Sequence, residues 1–185
     1  MDGKTILLYD LNERENSLAI AFQTRYGNIV LYQWFGNGYI IAGFSSGYVV
    51  VISTHINEIG REQYCAKFHD NSMREIVFNE ANGFVATCGD NYIKVVRMSD
   101  WKEIAVEYLD GNSTAFSNAA STSGPAGSLS FSSPSDSFGS NSTTGAVHAT
   151  SVSYENLQWT PHGQILIVSL RNGCLYNFMI HKTAL

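Results

Sequence analysis

A three-strand pattern returns about every 44 residues along this chain. Each copy is an apolar strand, a Gly turn, a second apolar strand, a tight polar turn and a third strand. The first copy runs Asn28 to Trp34, turns at Gly36-Asn37-Gly38, runs Tyr39 to Phe44, turns at Ser45-Ser46-Gly47 and ends with Tyr48 to Ser53. The second is Met73 to Phe78, Asn82-Gly83, Phe84 to Cys88, Gly89-Asp90-Asn91 and Tyr92 to Arg97. The third is Tyr154 to Trp159, Pro161-His162-Gly163, Gln164 to Ser169, Arg171-Asn172-Gly173 and Cys174 to Met179. A period of this size with short strands bounded by Gly, Asn and Asp predicts a β-propeller of the WD type. Such a repeat serves as an interaction platform far more often than as a catalyst.

The strands themselves narrow the architecture. Tyr39-Ile40-Ile41-Ala42, Tyr48-Val49-Val50-Val51-Ile52 and Ile165-Leu166-Ile167-Val168 are apolar on both parities. A sheet wet on one side alternates polar and apolar, so these strands must be covered on both faces. Their short turns impose antiparallel pairing and exclude a helix-covered parallel sheet. Blades stacked side by side satisfy both conditions, and no segment reads as a convincing helix.

The expected fold class is therefore all-β, a partial WD40-type β-propeller of about three to four blades from a larger ring. Residues 4–10 and about 17–23 read as the last two strands of a blade, and two full blades follow. Their outer strands are expected near Gln63 to Lys67 and Lys102 to Tyr108. Three divisions result: WD-repeat blades over 1–109, a Ser/Thr/Gly-rich insertion over 110–153, and the first three strands of a further blade over 154–185. A seven-bladed ring needs roughly 280 residues, so the 185 residues here are expected to be part of a longer product. Alone, the end blades should expose apolar faces and open strand edges.

The insertion contains no Lys or Arg and few large apolar residues. Such a composition cannot offset the entropy of ordering, which predicts a disordered loop on the face that carries the tight turns. Ser133-Pro134 offers a proline-directed phosphorylation site there, and Asn112 and Asn141 head N-x-Thr sequons. No charged start followed by an apolar core marks a secretory leader, so the sequons read as chance.

Charge and cysteine usage exclude several functions. The net charge is −5 and the 11 Lys and Arg are scattered, leaving no basic stripe for nucleic acid. No apolar run approaches the roughly 20 residues of a membrane span. Cys65, Cys88 and Cys174 are odd in number and form no CxxC pair, which suits the cytosol. The five His include no HExxH, Ser has no GxSxG elbow, and no phosphate-binding Gly loop occurs. The reading is of a chain with no catalytic site, no cofactor and no metal site. Trp101 is left as either a binding anchor or a packing residue of an outer strand.

His69 and Asp90 are the residues singled out. His69 opens a repeat, Ile76 stands seven residues later, and Asp90 occupies the tight turn of the same repeat. In WD folds a His and an Asp at these places hydrogen-bond and hold the turn beside the innermost strand. They are expected to be a structural turn pair, meeting polar groups that blade packing buries. The Trp-Asp dipeptide has decayed to Ile52-Ser53, Val96-Arg97 and Phe178-Met179; only Tyr9-Asp10 stays near it.

Longer strings carry a resemblance. Asp2 to Asn16 (DGKTILLYDLNEREN), Tyr26 to Val30 (YGNIV), Gly43 to Gly60 (GFSSGYVVVISTHINEIG) and Ala86 to Lys94 (ATCGDNYIK) closely resemble the family of the large WD-repeat subunit of intraflagellar transport complex A. The likeness covers about residues 1–109 and, more loosely, 154–180. It implies a non-catalytic scaffold in a hetero-oligomer whose partners are other complex A subunits and ciliary cargo or adaptors. Retrograde ciliary transport, cilium assembly, delivery of membrane cargo and a location at the cilium and its base follow from the same resemblance. The alternative is another WD-repeat scaffold in vesicle or coat-type trafficking. A propeller enzyme with a cluster in the central channel is a third, and the apolar or small residues at the starts of the inner strands speak against it.

Overall fold

The computed structural model describes residues 3–12, 15, 17–109 and 152–180. Among these described residues thirteen strands form four antiparallel sheets, as the turn spacing requires. The first sheet pairs β1 (Thr5–Tyr9) with β2 (Ser17–Ala21). The second holds β3 (Ile29–Phe35), β4 (Tyr39–Phe44), β5 (Tyr48–Ser53) and β6 (Glu62–Lys67) in sequence order. The third repeats that order with β7 (Met73–Asn79), β8 (Phe84–Gly89), β9 (Tyr92–Arg97) and β10 (Lys102–Tyr108). The fourth has three strands, β11 (Tyr154–Trp159), β12 (Ile165–Leu170) and β13 (Leu175–Met179). Two single 3₁₀ turns, Thr24–Tyr26 and Glu80–Asn82, are the helical residues among those described. The expected disordered loop and the Ser133-Pro134 site lie outside the described residues.

The doubly apolar strands are explained by which neighbour each parity meets. On β4 and β5, Ile40, Ala42, Phe44, Val50 and Ile52 pack with Ile6, Ile20 and Phe22 of the first sheet and its exit. Ile41, Val49 and Val51 point the other way, onto Met73, Ile76 and Val85 of the third sheet. The third sheet does the same: Val85 and Val96 face backward, while Ala86, Cys88, Ile93 and Val95 meet Leu157, Trp159, Leu166 and Val168. The second and third sheets are thus each the wall of two cores, and a fully buried Val or Ile contributes roughly 1.5–3 kcal/mol to one of them.

A bulge recurs at the start of each innermost strand, between Ile29 and Leu31, Met73 and Glu75, and Tyr154 and Asn156. One extra residue bends the strand and increases its local twist at the same point of every repeat. The walls at the two ends are less well covered. Leu7, Tyr9 and Leu18 on the first sheet and Leu175 and Met179 on the last are exposed.

Candidate functional site

The connections between sheets and the tight turns within them meet on one face of the molecule. There the Gly47 carbonyl accepts from both Phe68 N (2.9 Å) and His69 N (3.1 Å), so the turn of one sheet docks onto the entry to the next. The docking leaves no room at Gly47, which has φ 78° and where a Cβ would land on the His69 carbonyl.

His69, 1% exposed, sits at the centre of this arrangement. Its Nε2 lies 3.0 Å from Thr87 Oγ1, and its ring stacks on Tyr92 at 4.7 Å. The ring presses so closely on Gly89 that a Cβ there would come within 2.8 Å of the imidazole. Nδ1 has no hydrogen-bond partner and stands 4.0 Å from Asp90 Oδ2, beyond hydrogen-bond reach. Burial drives the imidazole pKa down to about 4, against the opposing pull of Asp90. At neutral pH His69 is therefore uncharged.

Asp90 spends its carboxylate on the backbone. Its Oδ2 accepts from Asp70 N at 2.7 Å, and its Oδ1 accepts from Asn71 N at 3.2 Å and Asn71 Nδ2 at 2.8 Å. Partial burial pushes its pKa up, but these donors outweigh it and hold the carboxyl below its usual value. The residue sits at φ 51°, a left-handed conformation that Asp tolerates in turns. The geometry places His69 and Asp90 around one turn but without the hydrogen bond expected between them: His69 pairs with Thr87 instead, and Asp90 with the Asp70 and Asn71 donors.

Asn91 adds a feature that residue spacing did not reveal. Its carbonyl accepts from Leu109 N at 2.7 Å and its side-chain Oδ1 accepts from Val152 N at 3.0 Å. Leu109 and Val152 are both buried in the core between the third and fourth sheets. One residue therefore clips the chain where it leaves for segment 110–151 and where it returns. Tyr154 reinforces the return by donating its hydroxyl to the Tyr92 carbonyl at 3.0 Å.

The second sheet has its own version of the lock, also unforeseen. Tyr26, fully buried, donates its hydroxyl to Glu62 Oε2 at 3.1 Å and accepts from Arg25 at 3.1 Å. Cys65 Sγ lies 3.3 Å from the same oxygen. Asn28 N donates to Ser45 Oγ at 2.9 Å, the role that Asn71 N and Asp90 share one repeat later. The offset of 43 from Tyr26 to His69, and from Asn28 to Asn71, was the signal that could have found it.

The opposite face is held differently. Glu80 Oε1 accepts from Gly36 N at 3.0 Å, and Asn79 Nδ2 donates to the Gly163 carbonyl at 2.6 Å. Trp101 lies flat on Tyr64 of the neighbouring outer strand, ring centres 4.5 Å apart, which makes it a packing residue. Ser53 Oγ approaches His55 Nδ1 at 2.8 Å, but Ser53 is fully buried and also accepts from His55 N, so the pair shapes a turn. Burial raises the Cys88 thiol to about 12, far from a reactive thiolate. Among the described residues no group of His, Cys, Asp and Glu is placed to hold a metal, and no helix is long and apolar enough to cross a membrane.

Radially stacked antiparallel sheets joined through docked turns define a WD-repeat β-propeller. The C-terminal WD40 domain of Sif2 superposes with a TM-score of 0.60 at 13% identity, over 95% of this chain and 37% of that one. Residues 1–127 match the family model described as WDR19 first beta-propeller. The chain belongs to the WD repeat-containing protein 19 family. It is 44% identical over 103 residues to the human WD repeat-containing protein 19, which covers 56% of this chain and 8% of that protein. Against the mouse protein it is 33% identical over 177 residues, 95% of this chain and 10% of the relative. The chain thus spans about a tenth of the length of these curated relatives.

Proposed function

We propose that this chain is a non-catalytic scaffold of intraflagellar transport complex A, working in a hetero-oligomer with other subunits of that complex and with ciliary cargo or adaptors. Its roles are retrograde ciliary transport, cilium assembly and delivery of membrane cargo, at the cilium and its base on the cytoplasmic side. Membership of the WD repeat-containing protein 19 family carries this reading. The physical basis is rigid presentation. Sheets walled on both sides fix their turns at little conformational cost, so loop residues engage partners without a further ordering penalty. In this reading His69 and Asp90 are a structural turn pair that holds the presenting face, not ligands of a partner.

The same reading divides the chain into blades over 1–109, an insertion over 110–153 and a further blade from 154. With its two ends clipped to Asn91, removal of 110–151 should leave thermal unfolding within about 1 kcal/mol of the parent, since loop closure changes slowly with length. Loss of cooperative unfolding on that deletion would overturn the division.

For the function itself, the protein is tagged at its own locus in ciliated cells and purified under native conditions. Other complex A subunits should co-purify, the tag should mark the ciliary base and shaft, and depletion should leave transport cargo stranded at ciliary tips. Co-purification with vesicle-coat components and no ciliary signal would replace this reading with the coat-type scaffold.

A further inference from the structure

We draw no further inference here: the strongest candidate, the exposed Tyr32 and Trp34 side of β3, asks for a neighbouring inner strand placed as β3 lies against β7 and β7 against β11, which restates the blade packing of the propeller family, and nothing in the structure shows what else would cover it.

Discussion

The turn of the second sheet and the turn of the third perform one task with different chemistry. Both must supply an acceptor to the N–H of the residue entering the innermost strand, and both need a buried ring beneath it. The second sheet uses the Ser45 hydroxyl and Tyr26; the third uses the Asp90 carboxylate and His69. The backbone requirement is fixed by blade packing, whereas the side chains that meet it are negotiable. What differs is the link to protons: the second-sheet pair is a hydroxyl and a phenol, while the third-sheet pair titrates in acid.

The most damaging way to break the comparison is at the backbone both locks share. Gly47→Ala drives a Cβ into the His69 carbonyl at positive φ and should cost about 3–5 kcal/mol, combining overpacking with strain. Gly173→Ala, also at positive φ but with nothing within 4 Å, should cost only about 1 kcal/mol. Denaturant midpoints of the two variants test this, and equal losses would show that docking of Gly47 on His69 is unimportant.

The proton link comes next. Because the folded His69 pKa lies near 4 and the unfolded value near 6.5, the unfolded chain binds the extra proton first. Stability is therefore complete above about pH 6.5 and falls as pH drops toward 4, by on the order of 3 kcal/mol. His69→Phe should flatten that limb in urea titrations at stepped pH, whatever it costs at pH 7. An unchanged limb would assign the acid sensitivity elsewhere. Asp90, held below its usual value, adds its own loss only at lower pH, as the carboxylate is protonated.

Asp90→Ala removes acceptors from three donors and should cost about 2 kcal/mol at pH 7. Ser45→Ala removes one acceptor at an exposed site and should cost about 1 kcal/mol or less, with no dependence on pH between 4 and 8. Paired unfolding curves would sharpen the contrast between a carboxylate acceptor and a hydroxyl acceptor at the same turn. A Ser45→Ala loss equal to that of Asp90→Ala would remove it.

Much of this architecture is legible in the sequence itself. The two-parity apolar runs at Tyr39 to Ala42 and Tyr48 to Ile52 required cover on both sides, and the cores formed by Ile40 and Ile41 on opposite faces meet that requirement. The outer strands expected near Gln63 and Lys102 begin at Glu62 and Lys102. Tyr26 is marked in the sequence only by its place 43 residues before His69; its partners Glu62 and Cys65 lie 36 and 39 residues away, and a Tyr by itself carries no signature for such a role. Tyr32 and Trp34 occupy the same repeat positions as Ile76 and Phe78, yet they are 60% and 54% exposed where Ile76 is 5%. Whether a strand residue is buried depends here on the next sheet, and no pattern within the strand itself encodes that.

Asn91 has a consequence for how such a chain can diversify. Because one residue fastens both the departure and the return of the polypeptide, Leu109 and Val152 hold their places against the third sheet through a shared anchor. If the proposed division holds, the length and composition of the span between them should be exchangeable for a foreign epitope or a recognition tag with little mechanical feedback on the sheets. On that expectation Asn91 works as a socket whose two contacts, not the span between them, set the fit.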